Sequence, residues 1–237
     1  VADPRTFEQG SDEWREVKLG KLSSSRMADA IARVKSGWGA SRANYRAELV
    51  CERISGIPYD GYTNGYMERG QLVEPKAVRA YEFRVDVETQ KTGFWPHPTI
   101  ADFGASPDRL VGTDGMVEAK CRTTAIHFEL LLTHKIPDKF MVQVQTGLSC
   151  AERIWCDFIS FDPRAPAGMD LFVKRIYRDE RRIAELEREG RIFLEEVAEQ
   201  TEALRRRAEA GFIYIHQMPG DGNLEAQLSK SLRLVQK

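Results

Sequence analysis

Residues 106–120, Ser-Pro-Asp-Arg-Leu-Val-Gly-Thr-Asp-Gly-Met-Val-Glu-Ala-Lys, restrict the fold of this chain more than any other stretch. The run 116–121 is apolar apart from Glu118 and Lys120 and reads as a strand. Side chains two apart on a strand share a face. Glu118 and Lys120 therefore point one way, and Val117, Ala119 and Cys121 the other. Gly112 and Gly115 mark a hairpin turn, which folds the arm carrying Asp108 back beside Glu118.

Two carboxylates and a lysine so arranged are what metal-dependent phosphodiester hydrolysis needs. Mg²⁺ takes oxygen ligands, usually one or two carboxylates together with substrate phosphate. Asp108, Glu118 and the backbone carbonyl of Ala119 supply such oxygens. The ion would polarise the phosphoryl group and acidify a water, and Lys120 would hold that water and offset transition-state charge. Acid-x-Lys alone is common, and it equally describes a surface hairpin whose Glu118 and Lys120 form a weak ion pair.

With 237 residues, 42% of them hydrophobic, there is material for one large core. A net charge of -1 excludes a uniformly basic nucleic-acid binder, so any DNA contact must come from a local patch. Cys51, Cys121, Cys150 and Cys156 form no Cys-x-x-Cys pair. This argues against zinc, iron–sulfur and disulfide frameworks and for reduced thiols in the cytoplasm. No run is long and apolar enough for a membrane span, and no signal-peptide pattern is present.

Along the chain, Ser23, Ser24 and Ser25 offer N-caps for a helix carrying Met27, Ile31 and Val34, followed by a Gly-rich loop over 35–41. Helices are expected over 42–54 and 66–83, the latter one kinked helix or two because of Pro75. Strands are expected over 85–89, 100–105 and 116–121, then helices over 126–132 and 140–150. A strand pair follows over 153–161 and 170–177. A long charged helix over 178–209, whole or broken near Gly190, and a short strand over 212–215 complete the pattern. The order predicts an α/β (α+β) domain over 1–217 with a central mixed sheet flanked by helices, and a mobile tail over 218–237.

The motifs now in hand are Glu8-Gln9-Gly10-Ser11-Asp12-Glu13-Trp14, Lys18-Leu19-Gly20-Lys21-Leu22-Ser23-Ser24-Ser25, Glu68-Arg69-Gly70-Gln71-Leu72-Val73-Glu74, Ser106-Pro107-Asp108, Val117-Glu118-Ala119-Lys120, Gln143-Val144-Gln145, and Phe161-Asp162-Pro163 with Tyr177-Arg178-Asp179-Glu180. In this order and spacing, from Phe7 to about Ala210, the chain resembles the phage-lambda-type exonucleases, the viral recombinase exonucleases of the PD-(D/E)xK nuclease superfamily.

The resemblance implies a restriction-endonuclease-like core and a Mg²⁺-dependent exonuclease, with Mn²⁺ equally suited to oxygen ligands and two ions in the site. Such an enzyme digests one strand of linear duplex DNA from the 5′ end and leaves a 3′ tail for strand annealing. By resemblance Asp108, Glu118 and the Ala119 carbonyl bind metal, Lys120 is the catalytic lysine, and Glu74 assists metal or water. Gln145, the second Gln of Gln-x-Gln, lies near the attacking water, and Lys18, Ser25 and Ser106 hold the 5′-phosphate. The resemblance further implies a ring-shaped homotrimer around DNA, a single-strand annealing protein as partner, and a phage or prophage protein at work in a bacterial cytoplasm.

Two positions depart from the pattern. Arg109 stands where a Gly often follows the motif Asp, facing DNA or solvent, and Lys18 stands where the lambda-type pattern has Arg, so that Arg26 or Arg42 would share the phosphate. Trp38 and Arg42, in a basic Gly-rich region, are candidates to touch DNA, whereas Trp14 reads as core packing and His127 and His134 as structural. An endonuclease on the same fold and a non-catalytic DNA-binding subunit are the rival readings.

Overall fold

The structure, a computed structural model, describes residues 2–59 and 65–211, with side chains for all of these except 65–71. A 3₁₀ turn at Pro4–Thr6 leads into helix α1 (Asp12–Lys18), strand β1 (Leu22–Ser23) and a 3₁₀ turn at Ser24–Arg26. Helix α2 (Met27–Ala30), strands β2 (Arg33–Val34) and β3 (Gly37–Trp38), and helices α3 (Ala40–Ser55) and α4 (Gly65–Val85) follow. Next come β4 (Trp95–Pro96), β5 (Phe103–Ala105), β6 (Arg109–Val111), β7 (Gly115–Ala119), α5 (Thr124–Thr133) and α6 (Asp138–Cys150). Strands β8 (Trp155–Phe161) and β9 (Leu171–Tyr177) and helix α7 (Glu180–Glu209) complete the order. Residues up to Thr201 form one compact unit, and a second begins at Glu202, inside α7.

The expected mixed α/β class holds, with the strands divided among sheets. The four-stranded sheet has the order β6-β7-β8-β9, a three-stranded one the order β1-β5-β4, and β2-β3 is a separate hairpin. β7 runs antiparallel to β6 and parallel to β8, so it is interior and wholly buried. Its two faces serve two cores. Val117, Ala119 and Cys121 pack with Val73, Ala77 and Tyr81 of α4. Met116 packs with Phe140, Val144 and Leu148 of α6. α6 also gives Val142 and Cys150 to a third core around Leu22, Phe103, Tyr45 and Phe193. It is therefore sandwiched between the sheets, and almost every side chain from Val142 to Cys150 is buried.

Several expected elements change. The helix expected after Ser23 is only the short α2, and the residues expected to end it and open a loop pair as β2 and β3, leaving Val34 exposed. Gly37, at φ 134, turns the chain tightly there, where a β-branched residue would be strained. Residues 85–89 are not a strand. Val85 ends α4 and Asp86 takes a left-handed conformation, with one bridge from Gln90 to Leu110 beyond it. α4 is continuous through Pro75, and α7 is continuous through Gly190. A Cβ at Gly190 would lie 3.4 Å from Leu22 and Phe103, which places this turn of α7 in contact with the core of the three-stranded sheet. The expected strand over 212–215, the boundary at 217 and the tail over 218–237 lie outside the described residues.

Candidate active site

α1 begins with the Ser11 hydroxyl accepting the Trp14 amide at 3.2 Å, an N-cap that replaces a lost helical partner. Trp14 and Lys18 are one turn apart and share a face, and the Lys18 ammonium lies 3.6 Å from the centre of the Trp14 ring. Past Lys18 the chain turns at Gly20, at φ 66. Its N–H donates to Glu52 at 2.7 Å and its carbonyl accepts from Arg53 at 2.8 Å, tying the turn to α3.

The N-terminal segment is strapped across the molecule to the Ser-Pro-Asp motif. Gly93 and Phe94 donate to the carbonyls of Arg5 and Pro4 at 2.7 and 2.9 Å. The Gln9 amide donates to Thr92 at 3.0 Å and to Pro107 at 2.7 Å, and the Trp14 indole N–H donates to the Ser106 hydroxyl at 3.0 Å. The sequence by itself places neither Gln9 nor Trp14 in the site. Trp14 is half-buried in a cleft wall rather than packed in a core, because its ring edge has a polar partner and its face a cation.

On the β6–β7 hairpin, Asp108 Oδ2 accepts the Ala119 N–H at 2.7 Å, so the expected approach of Asp108 to the acid-x-Lys strand is present. Glu118 is buried and ion-paired with Lys120 through Oε1. The Gln143 side-chain N–H₂, from α6, donates to that same oxygen at 2.7 Å. Oε2 has no hydrogen bond among the described residues.

Gln145, by contrast, does not reach the cluster, and its expected role near the water is corrected. Its amide nitrogen donates to Tyr177 O at 2.9 Å and its oxygen accepts the Asp179 N–H at 2.9 Å, which ties α6 to the β9–α7 junction. Gln143 occupies the place next to Glu118, since residues two apart on a helix face nearly opposite ways.

A cleft of about 200 Å³ is lined by Gln9, Trp14, Lys18, Ser23, Ser24, Ser25, Ser106, Asp108, Glu118, Lys120 and Gln143. It brings the expected phosphate-holding residues and the acidic cluster together. Glu74 instead lines an adjoining groove of about 760 Å³ with Gln9, Trp14 and Arg109. Arg109 donates to its neighbour's carbonyl, Asp108 O, at 2.5 Å and lies 3.6 Å from Glu74, a largely covered position that partners the acid rather than solvent.

Arg42 is corrected as a DNA contact. It is fully buried, donating to Ala30 O and to Glu196 at 2.6 Å, so no phosphate can reach it. Trp38 is exposed on its hairpin with the Arg33 and Arg42 guanidiniums 3.9 and 3.8 Å from its ring, and it lines neither the cleft nor the groove. Arg26 is held by Asp29 at 2.6 Å and Glu48 at 2.9 Å.

The carboxylates crowd one another. Burial and the Asp108 charge push Glu74 up to about 7, against Arg109 and Lys120. Burial raises Asp108 as well, opposed by Lys120 and the Ala119 N–H. Glu118 is pushed up to about 7 by burial, with Asp108 and Glu74 adding to it and Lys120 opposing. Burial works against the Lys120 charge, but Glu118 and Asp108 outweigh it and raise the ammonium above its ordinary value. Lys120 therefore carries its positive charge at neutral pH. Burial lowers Lys18 to about 8, with Glu52 opposing.

No three His, Cys, Asp or Glu side chains come together as a ready metal cage among the described residues. The donor set still fits a hard divalent cation that keeps several waters, since Asp108 and Glu118 are two oxygen donors facing excess negative charge. Among the described residues no helix is long and apolar enough to cross a membrane.

Residues 13–153, more than half of the chain, match the YqaJ-like viral recombinase domain. An alkaline exonuclease from Laribacter hongkongensis, LHK-Exo, is 42% identical and superposes with a TM-score of 0.79, covering 84% of this chain and 99% of that one. LHK-Exo in complex with dAMP gives the same identity and coverage and a TM-score of 0.80. A phage-related exonuclease from Haemophilus somnus 129PT shares the fold at 11% identity, with a TM-score of 0.59 over 79% of this chain and 96% of that one. No curated protein sequence is a significant match. The chain thus has the lambda-exonuclease-type fold and belongs to the YqaJ-like viral recombinase family.

Proposed function

We propose that this protein is a divalent-metal-dependent exodeoxyribonuclease that digests one strand of linear duplex DNA from its 5′ end and leaves a 3′ single-stranded tail. One observation carries the reading. The residues suited to holding a terminal phosphate (Lys18, Ser25, Ser106) and those suited to cleaving a phosphodiester (Asp108, Glu118, Lys120) line one small cleft. The likeness to an alkaline exonuclease whose homologous chain binds dAMP, a 5′-mononucleotide, supports it.

Lys18 and the hydroxyls of Ser25 and Ser106 bind and orient the phosphate. Lys120 offsets charge on the scissile phosphoryl group from a fixed position beside Glu118. Gln143 holds the Glu118 carboxylate in place by its 2.7 Å bond. Mg²⁺ or Mn²⁺, held by Asp108, Glu118 and the Ala119 carbonyl with Glu74 assisting through water, supplies Lewis-acid polarisation when bound. Two ions, a ring-shaped homotrimer, a single-strand annealing partner and a cytoplasmic setting in a phage-carrying bacterium complete the proposal.

The test is digestion of a linear duplex with one 5′-phosphorylated and one 5′-hydroxyl end, each strand labelled differently, with Mg²⁺ present. Loss of the phosphorylated strand from its end supports the reading. Internal cuts, or cleavage of closed circles, would show an endonuclease instead, and binding without digestion would show a non-catalytic subunit.

A further inference from the structure

We infer that Trp14 is a positioning residue for the terminal phosphate. Its indole N–H fixes Ser106 so that the serine hydroxyl donates to the anion, and its ring face carries the Lys18 ammonium without neutralising it. The inference rests on the proposal that this cleft takes a 5′-phosphate.

The bonding inventory supports both halves. An indole nitrogen only donates, whereas a serine hydroxyl has one donor and two acceptor lone pairs. The 3.0 Å contact therefore runs from Trp14 to Ser106 Oγ and leaves the hydroxyl proton unspent. Among the described residues no acceptor takes that proton, and both side chains line the cleft.

Lys18 shows the same economy. Its ammonium stands 3.6 Å from the ring centre, within the range of a cation–π contact. It forms no ion pair among the described residues. Nearby Arg15 is bound to Asp12 at 2.9 Å, and Arg26 to Asp29 and Glu48. A carboxylate partner would cancel the charge that an incoming phosphate needs, whereas an aromatic face holds the ammonium without an opposing formal charge. The i, i+4 spacing of Trp14 and Lys18 on α1, with Trp14 anchored by the Ser11 cap, sets both contacts at once.

The experiment compares KM and kcat at 5′-phosphorylated and 5′-hydroxyl ends for the wild type, Trp14→Phe, Ser106→Ala and the double variant. Phe keeps an aromatic face and loses the N–H. Trp14→Phe should raise KM for phosphorylated ends about tenfold, the scale of one charge-assisted hydrogen bond, with little change in kcat. The preference for phosphate should fall with it, and the double variant should be no worse than the poorer single one. A proportional loss at both kinds of end, or multiplicative losses in the double variant, would show a mere scaffold role and overturn the inference. A wild type without preference for phosphate would overturn the phosphate-cleft reading itself, before any variant is compared. Should Trp14→Phe fail to fold, the Trp14 indole ¹⁵N–¹H resonance decides. It must shift in Ser106→Ala and on adding a 5′-phosphorylated oligonucleotide, and an unmoved resonance would refute the contact.

Discussion

Exchanging the two glutamines of α6 for alanine, one at a time, should separate chemistry from stability. Gln143→Ala removes the 2.7 Å bond to Glu118, which retains Lys120 and can take up a proton because its pKa already lies near 7. The fold should lose about 1 kcal/mol or less. Metal affinity or turnover should fall roughly 10- to 100-fold, as for other groups that orient a metal ligand. Gln145→Ala instead strands Tyr177 O and Asp179 N, both at partly buried bonds. At about 1 kcal/mol for each lost partner, the cost is roughly 2 kcal/mol. For a chain of this size that lowers Tm by about 4–8 °C, while the activity of the folded protein stays within about twofold. Thermal melts with and without Mg²⁺, beside initial digestion rates below Tm, measure both. A Gln145→Ala protein that melts normally but is inactive, with Gln143→Ala fully active, would refute this assignment.

Three further outcomes follow from the same geometry. Lys18, lowered to about 8, is charged below that pH and neutral above it, so KM for 5′-phosphorylated ends should climb above pH 8 by roughly tenfold per unit at the limit. Lys18→Arg should flatten that limb, and an equal climb in both proteins would exclude Lys18 as its source. Glu74 and Glu118, pushed up to about 7, hold protons at pH 6 and release them by pH 8. Divalent-ion affinity should therefore rise across this window with proton release, seen by calorimetry in buffers of different ionisation enthalpy; a pH-independent affinity would contradict it. Arg42→Met strips the buried guanidinium from Ala30 O and from Glu196, which keeps Arg46 at 2.8 Å, so it should cost about 1–2 kcal/mol and lower the melting point while the salt dependence of DNA binding stays put.

Where interactions are local, the amino-acid order alone determined the outcome. Asp108, Glu118 and Lys120 lie on one hairpin, so turn glycines and strand alternation suffice to bring them together. α3, the β8–β9 pair and the span of α7 follow from periodicity and breakers such as Gly56, whose left-handed φ of 70 ends α3, whereas the continuity of α7 through Gly190 does not. The short helix before β2 and the residues after α4 depart from the sequence pattern because local propensity there is weak and packing decides. Tertiary structure alone decided the rest. α6 is buried on nearly all sides between two sheets, so its sequence carries no polar stripe to reveal its rotation. Residues 143 and 145 differ by about 200° around the axis, and only docking shows which one meets Glu118. Arg42 is withdrawn from solvent by Glu196, a partner from the far end of the chain. The cleft likewise unites α1, residues 23–25, residues 106–108, β7 and α6, a meeting that no local pattern encodes because it depends on how separate cores pack.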